Sequence, residues 1–133
     1  MAGVFATAAL SIFALMGTGS LAYAGPYAGD IHSCNWTPSV KWCTHALVPP
    51  GLDGLDTYTN PGTNFPVKCA SCVKNDEEML LYCWAPGGDV HGDSYWFTTG
   101  VHEDGSRDWF PDYYLATGSR DEWAGRGVPY CGA

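Results

Sequence analysis

The residues of this chain best suited to chemistry are its six cysteines: Cys34, Cys43, Cys69, Cys72, Cys83 and Cys131. Cys69-Ala70-Ser71-Cys72 has the C-x-x-C spacing of redox-active dithiols and of half a zinc site. Redox chemistry wants that motif at the start of a helix in a βαβ setting, and Lys74 to Glu78 gives only a hint of helix after it. A four-cysteine zinc site would have to recruit Cys34 and Cys43. Eight residues intervene between these two, whereas zinc sites use about two to four. Structural disulfides are the expectation for all six, and no metal ligand or cofactor is assigned.

Other reactive groupings are weaker. Asp89, His91 and Asp93 alternate in one segment, and His102-Glu103-Asp104 forms a second cluster. Oxygen-rich loops suit hard cations, but Asp and Gly are also the ordinary formers of hairpin turns, and turns are the expectation. No serine sits in a Gly-x-Ser-x-Gly turn, and a cysteine nucleophile would have to be left unpaired. Paired carboxylates abound in so acidic a chain and decide nothing. Enzymatic activity is not expected. Aromatic residues are the more informative class, with six Trp, eight Tyr and five Phe in 133 residues. A small domain buries only some of them, and flat aromatic faces at a surface stack on sugars, apolar side chains or proline-rich peptides.

The elements that position these residues must fit a short chain. Its first 29 residues contain no Asp, Glu, Lys or Arg, and an apolar run from Val4 to Met16 precedes Gly17 and Gly19. Ala22-Tyr23-Ala24 then offers the small residues a signal peptidase reads, so cleavage is expected after Ala24. A secretory route agrees with the even cysteine count, which reads as a disulfide framework outside the cell. No stable membrane insertion is expected once the signal is removed. The net charge is −8, and its six basic residues are scattered rather than gathered in a stripe, which excludes nucleic-acid binding.

Seventeen glycines and nine prolines leave little room for long helices. Short aromatic-rich runs at Met79 to Trp84, Ser94 to Thr99 and Asp108 to Phe110 read as strands. Gly/Asp turn signals separate them, at Pro86 to Asp89, His91 to Asp93 and Glu103 to Ser106. Asp112 to Leu115 follows a proline and fits one tight helical turn. Residues 25–51 carry two cysteines and two tryptophans with little periodicity, and read as an irregular extension tied by disulfides. Ser119 to Gly127 reads as a polar loop.

The order of these motifs resembles the bacterial SH3-like (SH3b) domain of the secreted actinobacterial type. Leu55 to Val67, with its Asn60-Pro61-Gly62-Thr63 loop, is similar to the first strand and loop of that family. Gly92 to Phe97 is similar to the strand carrying the family's tryptophan, and Trp109 to Leu115 to the last strand and its helical turn. The resemblance runs over residues 52 to 131 and departs from the family at Thr57 to Asn60 and at Cys69 and Cys72. It implies an all-β fold: a small antiparallel SH3-like barrel over residues 52–133, behind a signal peptide at 1–24 and the extension at 25–51. It also implies that Cys131 pairs with Cys83. The other four cysteines are then expected to pair as Cys34 and Cys43 with Cys69 and Cys72, in either order; a Cys69–Cys72 bond is possible but geometrically tight.

By the same resemblance Tyr58, Tyr95, Trp109, Tyr113 and Tyr114 flank a ligand groove, with Tyr58, Trp109, Tyr113 and Tyr114 expected at the surface. Trp96, Phe110 and Leu115 are expected in the core. The implied function is a secreted module binding cell-wall peptidoglycan, a glycopeptide, or its peptide stems. The alternative is a secreted interaction or inhibitor protein that holds an extracellular protein on the same aromatic surface.

Overall fold

A computed structural model describes residues 29–38 and 40–132. The expected signal segment lies outside the described residues, as do residues 25–28 of the extension. Among the described residues the fold is all-β, with eight strands: β1 (His32–Thr37), β2 (Val40–His45), β3 (Leu55–Tyr58), β4 (Val67–Val73), β5 (Glu78–Leu80), β6 (Cys83–Val90), β7 (Asp93–Thr98) and β8 (Trp109–Pro111). A 3-10 turn (Asp112–Tyr114) and one helix, α1 (Arg120–Gly125), follow. The strands form two antiparallel sheets, one of order β1-β2-β5 and one of order β4-β3-β8-β7-β6. No pairing joins β4 to β6 among the described residues, so the ladder is open at both ends.

Side-chain alternation along β7 explains the layering. Successive residues of a strand point to opposite faces. Tyr95 and Phe97 face inward, where Phe97 joins Leu55, Val73, Met79, Leu81, Phe110, Leu115 and Trp123 in the main core between the sheets. Trp96 points the other way and builds a smaller cluster with Val90 and Trp109 on the outer face of the large sheet. Trp96, Phe110 and Leu115 are thus buried, as expected.

Several features of the chain differ from the sequence reading. Pro86 to Asp89, expected as a turn, lie inside β6, where two glycines let the strand bulge against β7. The segment before Gly51 is tied by a disulfide, yet it is more regular than its composition implied, because His32 to His45 form a hairpin. Pro38 sits in the turn of that hairpin, where its fixed φ is useful, and the Thr37 hydroxyl accepts the Val40 N–H at 3.1 Å. Met79 to Trp84 is not one strand. The chain crosses between the sheets there, the Leu81 N–H binding the Trp42 carbonyl and the Tyr82 N–H the Thr98 carbonyl.

Ser119 to Gly127 is not a plain loop, since it holds α1. The Glu122 carboxylate accepts the Ser119 N–H at 2.9 Å at the start of that helix. The helix delivers Trp123, fully buried, against Trp84, Tyr95 and Phe97 with ring centroids 5.2, 5.3 and 5.1 Å away. A buried indole of this size contributes heavily to a small core.

The disulfides are Cys34–Cys43, Cys69–Cys72 and Cys83–Cys131. Cys83–Cys131 pairs as the resemblance implied. The expected cross-pairing of Cys34 and Cys43 with Cys69 and Cys72 is corrected, because the first pair lies on the β1–β2 hairpin and the second lies within β4. Facing strands bring Cys34 and Cys43 to a Cα separation of 5.8 Å, and irregular register in β4, with Ser71 at φ 51°, brings Cys69 and Cys72 to 5.7 Å. Both distances lie in the usual range for a disulfide.

Candidate functional site

The outer face of the large sheet carries two hollows. The larger, about 620 Å³, is lined by Trp109 and Ala85 from the sheet, by Lys68 on β4, by Asp104 and Arg107 from the loop before β8, and by Tyr130 near the C-terminus. The Lys68 ammonium lies 3.1 Å from the Asp108 carboxylate and donates to the Ser106 hydroxyl at 2.6 Å. Ser106 in turn donates to Asp104, holding that carboxyl below its usual range. The Arg107 guanidinium lies over the Tyr82 ring at 5.9 Å. This rim therefore offers both signs of charge around an aromatic and aliphatic surface.

The second hollow, about 320 Å³, is lined by Leu52, Asp56, Tyr58, Thr63, Pro111 and Tyr114 among others. Burial raises the Tyr58 hydroxyl above its ordinary pKa, with the Asp56 carboxylate adding to the effect. The loop after β3 is pinned to the large sheet, its Pro61 carbonyl accepting the Gly88 N–H at 3.1 Å. Any side chain at Gly87 would collide with that carbonyl, so the close approach admits glycine alone. The Gly88 carbonyl accepts the Trp96 indole N–H at 2.8 Å, which ties the loop's anchor to the outer cluster.

Of the five aromatic residues expected at the groove, the structure brings four near one another and sets one apart. Tyr58 stands directly opposite Trp109 in the β3–β8 pairing. Tyr58, Tyr113 and Tyr114 all pack on the outer cluster, half-buried. Tyr113 lies 4.8 Å from the His91 ring and 5.1 Å from Tyr114, and lines neither hollow. Tyr95 points to the opposite face of β7, against Trp84 and Trp123. Trp109 was expected at the surface but is 8% exposed. It is flanked by β3 and β7 on a central strand, so only part of its ring floors the larger hollow. His91 and Gly92 have φ of 51° and 92° and make the tight β6–β7 turn, which is the hairpin role expected of that segment.

The small sheet presents a different group of side chains on its outward face. The Asp30 carboxylate, His32 and His45 offer ligand atoms that all lie within 4.8 Å of one another. His45 Nδ1 is 2.5 Å and His32 Nδ1 3.8 Å from the two Asp30 oxygens, and His32 Nε2 is 2.9 Å from Glu78 Oε2. The hydrogen bond to Glu78 raises the His32 pKa above its ordinary value, against a smaller opposing effect of burial.

No protein-family model matches the chain, and neither does any curated protein or solved structure.

A buried carboxyl pair completes the inventory. Asp93 and Asp112 are each 3% exposed and interact with one another. Burial pushes the Asp112 carboxyl well above the usual range and the facing Asp93 pushes it further, while the Thr117 hydroxyl, which donates to Asp112, works against both. Burial also raises Asp93, opposed by the hydrogen bond from Asp112 and by the Tyr95 N–H. Both carboxyls are thus pushed toward their protonated forms, and neither lines either hollow. The pair braces the β7 start against the 3-10 turn.

Sequence reasoning passed over Asp30, His32, His45 and Glu78. A signal was present: His32-Ser33-Cys34 and Cys43-Thr44-His45 mirror each other about a disulfide. In an antiparallel hairpin clipped by those cysteines, residues two places outward on each strand share the cysteines' face. Lys68, Arg107 and Tyr130 were also missed at the larger hollow, because three separate segments converge there and no local pattern announces it.

Proposed function

We propose that the protein is an extracellular binding module for cell-wall peptidoglycan, holding the peptide stems in the hollow floored by Trp109. The observation that carries this reading is the composition of that hollow. Trp109, Ala85 and Tyr130 supply apolar surface, while Lys68, Arg107 and Asp104 stand at its rim. A short peptide with small side chains, free carboxylates and an amine matches such a surface group by group. Its volume, about 620 Å³, is within the common size for small-ligand sites. Three disulfides suit an oxidising compartment, and no helix among the described residues is long and apolar enough to cross a membrane.

The test is co-sedimentation of the oxidised protein with purified cell-wall sacculi at low and moderate salt. Tyr130→Ala and Lys68→Ala are the variants of choice, because both positions are exposed and neither belongs to either core cluster. Retention that persists in salt and drops at least tenfold in both variants supports the reading. Protein that stays in the supernatant refutes it.

A further inference from the structure

We propose that Asp30, His32 and His45 form a binding site for a divalent transition-metal ion of the zinc class, with Glu78 as a positioning residue. The donor set is two imidazole nitrogens and one carboxylate, the combination that favours zinc and its neighbours over calcium or magnesium. Both Nδ1 atoms already point at the same carboxylate, one at each oxygen. Ligands on a tetrahedral zinc ion sit roughly 3.3 Å apart, given bond lengths near 2.0–2.1 Å. With one Asp30 oxygen bound, the 2.5 Å between His45 Nδ1 and Oδ2 must open, and His32 Nδ1, 3.8 Å from Oδ1, must come to that spacing from the bound oxygen. Asp30 is exposed and precedes the first strand, so its side chain has room for both adjustments.

The remaining geometry is that of a prepared site. His45 stands directly opposite Glu78 in the β2–β5 pairing, and His32 opposite Cys43 in β1–β2. Two strand registers therefore fix three of the four side chains on one face. The Cys34–Cys43 disulfide, two residues from each histidine, clips the hairpin on that same face. The two imidazole rings stack at 5.1 Å. Glu78 takes Nε2 of His32, leaving Nδ1 for the metal, which is the carboxylate–histidine–metal arrangement that orients ligands in zinc sites. The backbone is braced as well: the Asp30 N–H donates to the Ala116 carbonyl at 2.7 Å, and the Ala116 N–H to the His45 carbonyl at 2.9 Å. An ion-pair cluster alone would need neither two stacked imidazoles nor a shared carboxylate. A metal-bound imidazole nitrogen carries no proton: His32 with its proton on Nε2 toward Glu78 offers a bare Nδ1, and any proton that His45 Nδ1 shares with Asp30 moves to its own Nε2 or to solvent on binding. Two of the three donors are imidazoles and the fourth position is left to water.

The experiment is calorimetric titration of the full, oxidised chain with zinc chloride at neutral pH. One equivalent is expected to bind. His32→Ala and His45→Ala each weaken it at least a hundredfold, Glu78→Gln by about ten- to a hundredfold, and His102→Ala leaves it unchanged. The wild-type protein supplies a second readout that needs no variant: zinc shifts the imidazole proton resonances of His32 and His45 and leaves those of His91 and His102 in place. Absence of saturable zinc binding overturns the proposal, as does affinity that survives both histidine replacements, or a shift confined to His91 or His102.

Discussion

Removing the three disulfides one at a time, by paired replacement with alanine, is expected to destabilise the protein in a fixed order. The bonds close loops of very different length, with sequence separations of 48 for Cys83–Cys131, 9 for Cys34–Cys43 and 3 for Cys69–Cys72. Chain-entropy reasoning assigns these loops about 4, about 2.6 and about 1.6 kcal/mol respectively. The folded state should barely register the loss at the longest loop. There the Trp84 N–H still binds the Pro129 carbonyl at 2.9 Å, and the Cys131 N–H the Trp84 carbonyl at 2.8 Å. Tyr130 still packs on Trp84, with ring centroids 4.9 Å apart. The cost therefore falls on the unfolded chain, which regains its freedom over the segment that includes β7, β8 and α1. Against a typical total stability of about 5–15 kcal/mol, a loss of about 4 is severe, lowering the melting temperature by on the order of 20 °C. Urea unfolding of the Cys83→Ala/Cys131→Ala protein, beside the other two pairs, measures it. If this pair costs no more than Cys69→Ala/Cys72→Ala, the loop-length argument is wrong.

Two further outcomes follow from the core. Asp112 keeps its proton in the folded protein at pH values where an unfolded aspartate, titrating near about 3.9, has lost it. The associated stability is complete below that pH and disappears as the pH climbs through the raised folded-state value, by up to about 1.4 kcal/mol per pH unit for one proton. Urea midpoints for wild type should fall across that window, and those for Asp112→Asn should stay flatter; identical profiles would dismiss the raised Asp112 carboxyl. Trp123→Ala removes the fully buried indole that α1 inserts among Trp84, Tyr95 and Phe97. It should cost about 3–5 kcal/mol, read by chemical denaturation, and a loss under about 1 kcal/mol would mean that α1 is not integral to the core.

What could be read along the chain is what depends on near neighbours. The density of Gly and Pro excluded long helices, the aromatic-rich run around Trp96 marked β7, His91-Gly92 marked its turn, and Pro111 announced the 3-10 turn. The Ser119-to-Glu122 spacing also held the start of α1, a local signal that sequence reading passed over. Residues distant in the chain meet for reasons that no window of sequence contains. Leu81 and Tyr82 carry the chain from one sheet to the other, so a single apolar run became two strands. Cys34 pairs with Cys43 because they face each other across a hairpin, a matter of strand register rather than of spacing. Trp109 is buried because β8 lies between β3 and β7, and the same placement turns part of its ring into the floor of a hollow completed by Lys68, Arg107 and Tyr130. Asp30, His32, His45 and Glu78 come together only when the β1-β2-β5 order is set. Periodicity and turn chemistry act over a few residues, whereas sheet order is chosen by burial of the whole apolar surface at once, and both candidate clusters of side chains are products of that choice.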